Sequence, residues 1–62
     1  MPIVQIHLFE GRSLEQKRDL VRKVTKAVCE SINTPPEAVK IILSDMKRSD
    51  YAEGGALYSE KQ

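Results

Sequence analysis

Residue 2 of this chain is proline, and a proline there has chemistry that other positions lack. Removal of the initiator methionine, ordinary ahead of so small a residue, leaves a secondary amine at the head of the chain. A free α-amino group titrates at about 7.7–8.0, and burial or neighbouring cations lower that value. A neutral, rigid secondary amine is a competent general base. The plainer reading of Pro2 is structural, a residue that protects a strand end. Taken alone, the position fits either reading.

Other catalytic constellations are missing. Cys29 is the only cysteine and His7 the only histidine, which leaves no protease-type pair, no Cys/His zinc site and no intrachain disulfide. No Gly-rich loop matches a phosphate cradle. Cys29 reads as a packed small hydrophobe, and His7 and Glu10 as structural residues. Ten basic and nine acidic residues give a net charge of +1, too small to draw nucleic acid or an anionic membrane. No apolar run approaches the ~20 residues of a membrane span, and residues 1–10 lack the features of a leader peptide. A cytoplasmic location is expected, with no nucleic-acid or membrane partner.

The elements that must position Pro2 follow from periodicity. Ile3 to Phe9 alternates as a strand, with Val4, Ile6 and Leu8 on one face and Ile3, Gln5, His7 and Phe9 on the other. Both faces are largely apolar, which suits a buried strand. Ser13-Leu14-Glu15-Gln16 matches a capping box, so a helix is expected from about Ser13. Its apolar stripe runs through Leu14, Leu20, Val21, Val24, Ala27, Val28 and Ile32, and Asn33-Thr34-Pro35-Pro36 ends it. Val39 to Ser44 reads as a second strand, residues 46–50 as a short turn or helical segment, and Gly54-Gly55 as the bend of a small hairpin. Two strands joined by one helix make a parallel βαβ unit. The fold class expected is α+β: one β-α-β domain over residues 1–62, with a short C-terminal hairpin.

Size then argues for assembly. A chain of 62 residues exposes roughly 10,000 Å² unfolded and roughly 4,000 Å² as a compact monomer. With about 60% of the difference apolar, its burial contributes about 90 kcal/mol, and ordering the chain at ~1.5 kcal/mol per residue costs a similar amount. A monomer of this size balances near zero, and with disulfide and metal excluded, self-association is the remaining source of stability. One helix also covers only one face of a two-stranded sheet, leaving an apolar face for a second copy.

The run Pro2-Ile3-Val4-Gln5-Ile6-His7-Leu8-Phe9-Glu10-Gly11-Arg12-Ser13, followed by Glu15-Gln16-Lys17, strongly resembles the 4-oxalocrotonate tautomerase family of the tautomerase superfamily. The resemblance extends through the second strand, the Met46 turn and Gly54-Gly55-Ala56-Leu57 without an evident gap. It implies the tautomerase fold, assembled as a homohexamer built from a trimer of dimers, and a role in aromatic-compound catabolism. It also implies an isomerase that needs no cofactor or metal. The N-terminal proline would take a proton from the 2-hydroxyl of a dienol acid such as 2-hydroxymuconate and deliver it to carbon 5. Pro2 carries that role here, and Arg12 matches the arginine that grips the distal carboxylate, a task suited to a planar guanidinium.

Two positions depart from the best-known members. Lys40 stands where they have a second arginine, which meets the proximal carboxylate and the 2-oxygen. Lysine keeps the charge and loses the fork. Tyr51 stands where they have a phenylalanine beside the proline; its ring can still desolvate the amine, and its hydroxyl can reach substrate or water. Other reactions of the same proline, such as dehalogenation, hydration or decarboxylation of a small unsaturated or keto acid, stay open. So does an oligomeric module without catalysis, which retention of Met1 would favour, since an acylated proline nitrogen has no basic lone pair.

Overall fold

The computed structural model describes residues 1–60. Strand β1 spans Ile3–Phe9, helix α1 Leu14–Ile32, strand β2 Lys40–Met46, and the short strands β3 and β4 Ala52–Glu53 and Ala56–Leu57. Single 3-10 turns lie at Pro36–Ala38, Arg48–Asp50 and Tyr58–Glu60. β1 and β2 pair in parallel, from Ile3 opposite Lys40 to Phe9 opposite Met46, and α1 is the crossover that a parallel pair requires.

The capping box forms as expected. The Ser13 hydroxyl accepts from the Gln16 N–H at 3.1 Å, and the Gln16 side chain accepts from the Ser13 N–H at 3.0 Å. Gly11, with φ +116°, makes the bend between β1 and this cap, a conformation costly for any residue with a Cβ. At the other end Asn33 adopts the left-handed conformation and its N–H returns to the Cys29 carbonyl. Gly54 and Gly55 both have positive φ, as a two-residue hairpin turn of the primed type needs.

The second strand differs from its expected Val39–Ser44 bounds at both ends. Val39 closes the turn Pro36–Ala38, its N–H bonded to the Pro36 carbonyl at 3.1 Å, so pairing begins one residue later. Asp45 and Met46 continue the strand because the parallel ladder runs on to Leu8 and Phe9; the Asp45 carboxylate is met by Lys17 from α1 at 2.8 Å. The expected hairpin is present, with Tyr58 starting the last 3-10 turn instead of extending β4; its N–H still bonds the Tyr51 carbonyl at 2.8 Å.

Helix α1 covers the sheet face of Val4, Ile6, Leu8, Ile41 and Leu43, using Lys17, Leu20, Val21, Val24 and Val28. Its terminal apolar residues Leu14 and Ile32, and Ala27, lie exposed, so the stripe is narrower than the sequence suggests. The charged side is a solvated face, where Lys23 and Arg22 bond Asp19 and hold its carboxyl below the usual range. The outer sheet face stays open at one end: Ile3 is 60% exposed and Ile42 50%. Its other end is covered by the C-terminal segment. No described side chain is fully buried, and the slab measures 43 × 25 × 14 Å.

Candidate functional site

The four residues singled out by the sequence fall into two pairs at opposite ends of the sheet. Pro2, half-buried, sits directly ahead of β1. Its carbonyl accepts the Lys40 backbone N–H at 3.0 Å, because the parallel register opens with Ile3 opposite Lys40. The Lys40 side chain lies on the outer face beside Ile3, and its Nζ donates to the Glu37 carbonyl at 3.2 Å. The lysine thus rests on the turn preceding its own strand, with spare donors on the ammonium.

Arg12 and Tyr51 belong to the other end. Arg12 is exposed after the Gly11 bend and lines a cavity of about 350 Å³ with Phe9, Glu10, Gly11 and Arg48. The Tyr51 ring meets Phe9 edge-on with centroids 5.4 Å apart, and Phe9 stacks on Tyr58 at 4.8 Å. These three are all the aromatic residues the chain has. The Tyr51 hydroxyl donates to Glu53 at 2.9 Å. That hydrogen bond and the carboxylate's charge raise the Tyr51 pKa above the ordinary phenol value, so the hydroxyl keeps its proton at neutral pH.

Seven residues of β1 at about 3.3 Å each separate Pro2 from Arg12 by about 23 Å within one chain. A larger groove of about 510 Å³ runs along α1 between Val21, Cys29 and Pro36, away from all four residues. Among the described residues no group of three His, Cys, Asp or Glu side chains is placed to hold a metal ion. Sequence reasoning missed Arg48 and Phe9 as neighbours of Arg12, and Tyr58 as the residue stacked on Phe9. The one available signal was the scarcity of aromatic residues, which invites grouping them.

Comparison with known proteins gives this arrangement a family. Residues 2–61 match the model of the tautomerase enzyme family. A 2-hydroxymuconate tautomerase of Pseudomonas putida is 43% identical over 60 residues, 97% of this chain and 95% of that protein. A probable tautomerase of Lactiplantibacillus plantarum is 45% identical over 62 residues, 100% of this chain and 97% of its own length. Among solved structures, a 4-oxalocrotonate tautomerase homologue superposes with TM-score 0.89 at 39% identity, covering 100% of this chain and 98% of that one. A heterohexamer 4-oxalocrotonate tautomerase from Chloroflexus aurantiacus gives TM-score 0.91 at 29% identity, with both chains fully covered. A β-α-β protomer of this shape, matched along almost its whole length, belongs to the tautomerase enzyme family.

Proposed function

We propose that this protein is a cofactor-independent isomerase in which Pro2, freed of Met1, converts a dienol acid such as 2-hydroxymuconate to the conjugated ketone 2-oxo-3-hexenedioate. The Pro2 nitrogen takes the 2-hydroxyl proton as the C2–O bond becomes a carbonyl. The double bonds shift along the chain, and the same proton is delivered to carbon 5, so the amine ends neutral. Lys40 meets the proximal carboxylate and 2-oxygen, Arg12 the distal carboxylate, and the Tyr51 ring contributes an apolar wall.

The observation that carries this reading is the Pro2–Lys40 pair: the candidate base and a cation share one end of the sheet, joined by a backbone hydrogen bond of 3.0 Å. Electrostatic stabilisation of charge developing on the 2-oxygen needs such a cation near the base. The tautomerases among its relatives support the reaction class.

Arg12 cannot reach the same substrate from the same chain. A six-carbon acid is under about 8 Å long at ~1.5 Å per bond, far short of the separation along β1. Two subunits must therefore meet at each site. The open outer face bearing Ile3 and Ile42 supplies apolar surface for such assembly, and the related heterohexamer supports it. We take the working form to be a cytoplasmic homohexamer. No helix among the described residues is long and apolar enough to cross a membrane.

Intact-mass measurement and an ultraviolet ketonisation assay on one sample test the reading. Processed protein is expected to turn over 2-hydroxymuconate, and the methionine-bearing form to be inactive. Equal turnover by the two forms would remove Pro2 as the base. Turnover of other unsaturated acids alone would favour the dehalogenase, hydratase or decarboxylase alternatives.

A further inference from the structure

The cavity beside Arg12 contains a second guanidinium that the reaction above leaves unused. We propose that Arg48 is a substrate-binding residue that joins Arg12 in seating one carboxylate of a small conjugated dicarboxylate. The identity of the acid rests on the tautomerase reading; the seat itself rests on the geometry of this cavity.

The topology brings the two arginines together. Phe9 and Met46 are paired at the end of the parallel ladder, so the chain leaves β1 and β2 side by side, and Arg12 and Arg48 follow within three residues of those ends. Both line the cavity of about 350 Å³ with Phe9, Glu10 and Gly11. The Arg48 guanidinium carbon stands 5.0 Å from the Phe9 ring centroid. That contact fixes the cation through its charge while consuming none of its five N–H donors.

Pairing elsewhere in the molecule sharpens the contrast. Lys17 is neutralised by Asp45, and Arg22 and Lys23 by Asp19. Among the described residues, neither Arg12 nor Arg48 has a side-chain hydrogen bond or ion pair, although Glu10 lines the same cavity. Both side chains are exposed, and a carboxylate entering the cavity they line would take bidentate hydrogen bonds from guanidinium donors that no described protein group occupies. Phe9 is itself occupied by Tyr58, stacked at 4.8 Å, and by the Arg48 guanidinium over its ring, so it holds the cation at the cavity and leaves the carboxylate as the group recognised there.

Calorimetric titration with trans,trans-muconate, a conjugated dicarboxylate without the reactive hydroxyl, reads the seat independently of turnover. Arg48→Gln is expected to weaken muconate binding about tenfold or more, and Arg48→Lys to recover part of that loss, since charge survives without the fork. In turnover, Arg48→Gln should raise KM for 2-hydroxymuconate about tenfold with kcat little changed, and leave the analogue lacking the distal carboxylate within about twofold. If Arg48 only braces Phe9, both substrates shift alike. That result, equal muconate affinity in native and Arg48→Gln protein, or no muconate binding by either, overturns the proposal. Protein that binds muconate through Arg48 yet ketonises no dienol overturns the tautomerase reading and leaves the seat standing.

Discussion

The backbone N–H of Lys40 donates to the carbonyl of Pro2 at 3.0 Å, and this bond does not depend on the side chain at position 40. Substitutions there change the cation beside the candidate base while keeping the ladder that holds Pro2 in place. Lys40→Ala should lower kcat/KM for dienol ketonisation by about one to two orders of magnitude, the worth of a charge-assisted bond that tightens in the transition state. Lys40→Arg should hold or improve turnover of dicarboxylates, with less gain for monocarboxylates, because it restores the planar fork. Steady-state kinetics on both substrate types check this. A kcat/KM within about twofold of native for Lys40→Ala on every dienol would put the lysine outside the site.

Acylation decides whether Pro2 has a lone pair to use. Processed protein is expected to show kcat/KM rising with pH through an ionisation at or below the ~7.7–8.0 range of a free α-amine, since the base must be neutral in the free enzyme. The sign follows from the group: protonation at low pH occupies the lone pair, and activity returns as the proton leaves. A profile that falls across that range would contradict a neutral amine as base. Chelators should leave turnover unchanged.

Assembly is the third expectation. The chain keeps 4873 Å² accessible, against roughly 4,000 Å² for a compact monomer of its mass. Its radius of gyration is 14.8 Å, where about 10.5 Å is usual for this length. A slab with an open apolar face and no buried core does not offset the entropy of ordering its own chain. Sedimentation should find hexamers and no folded monomer at micromolar concentration. A compact single-chain species would contradict both the area argument and the two-subunit site.

Much of this was legible in the sequence because local rules govern it. Ser13 and Gln16 announce the start of α1, alternation announces β1, and adjacent glycines announce the hairpin. The remainder depends on contacts between distant residues, which leave no periodic trace. Asp45 and Met46 extend β2 because their backbone keeps pairing with Leu8 and Phe9 of β1, and Lys17, on another element, meets the Asp45 carboxylate. Val39 leaves the strand because the turn Pro36–Ala38 captures its N–H. The grouping of Phe9 with Tyr51 and Tyr58, and of Arg12 with Arg48, needs the parallel register and the folded-back C-terminal segment. Pro2 and Arg12 are candidates through the likeness of the whole run from Pro2 to Ser13 to the family; their separation along β1 required the strand's direction.

Tyr51 offers the last test, because its hydroxyl is already engaged. Glu53 accepts its hydrogen bond and raises its pKa above the ordinary phenol value. The folded protein therefore binds this proton more tightly than the unfolded chain does. The resulting stabilisation is fully present below the unfolded value of about 10 and is lost as pH rises through the folded one. Ultraviolet difference titration should show one tyrosine ionising late, and Glu53→Gln should bring it down by removing the charge. If the ring alone serves the site, Tyr51→Phe should keep kcat/KM within about threefold, since it retains the apolar wall and Glu53 is exposed to water. A loss beyond about thirtyfold in Tyr51→Phe, with the oligomer intact by sedimentation, would mean that the hydroxyl leaves Glu53 to act on the substrate.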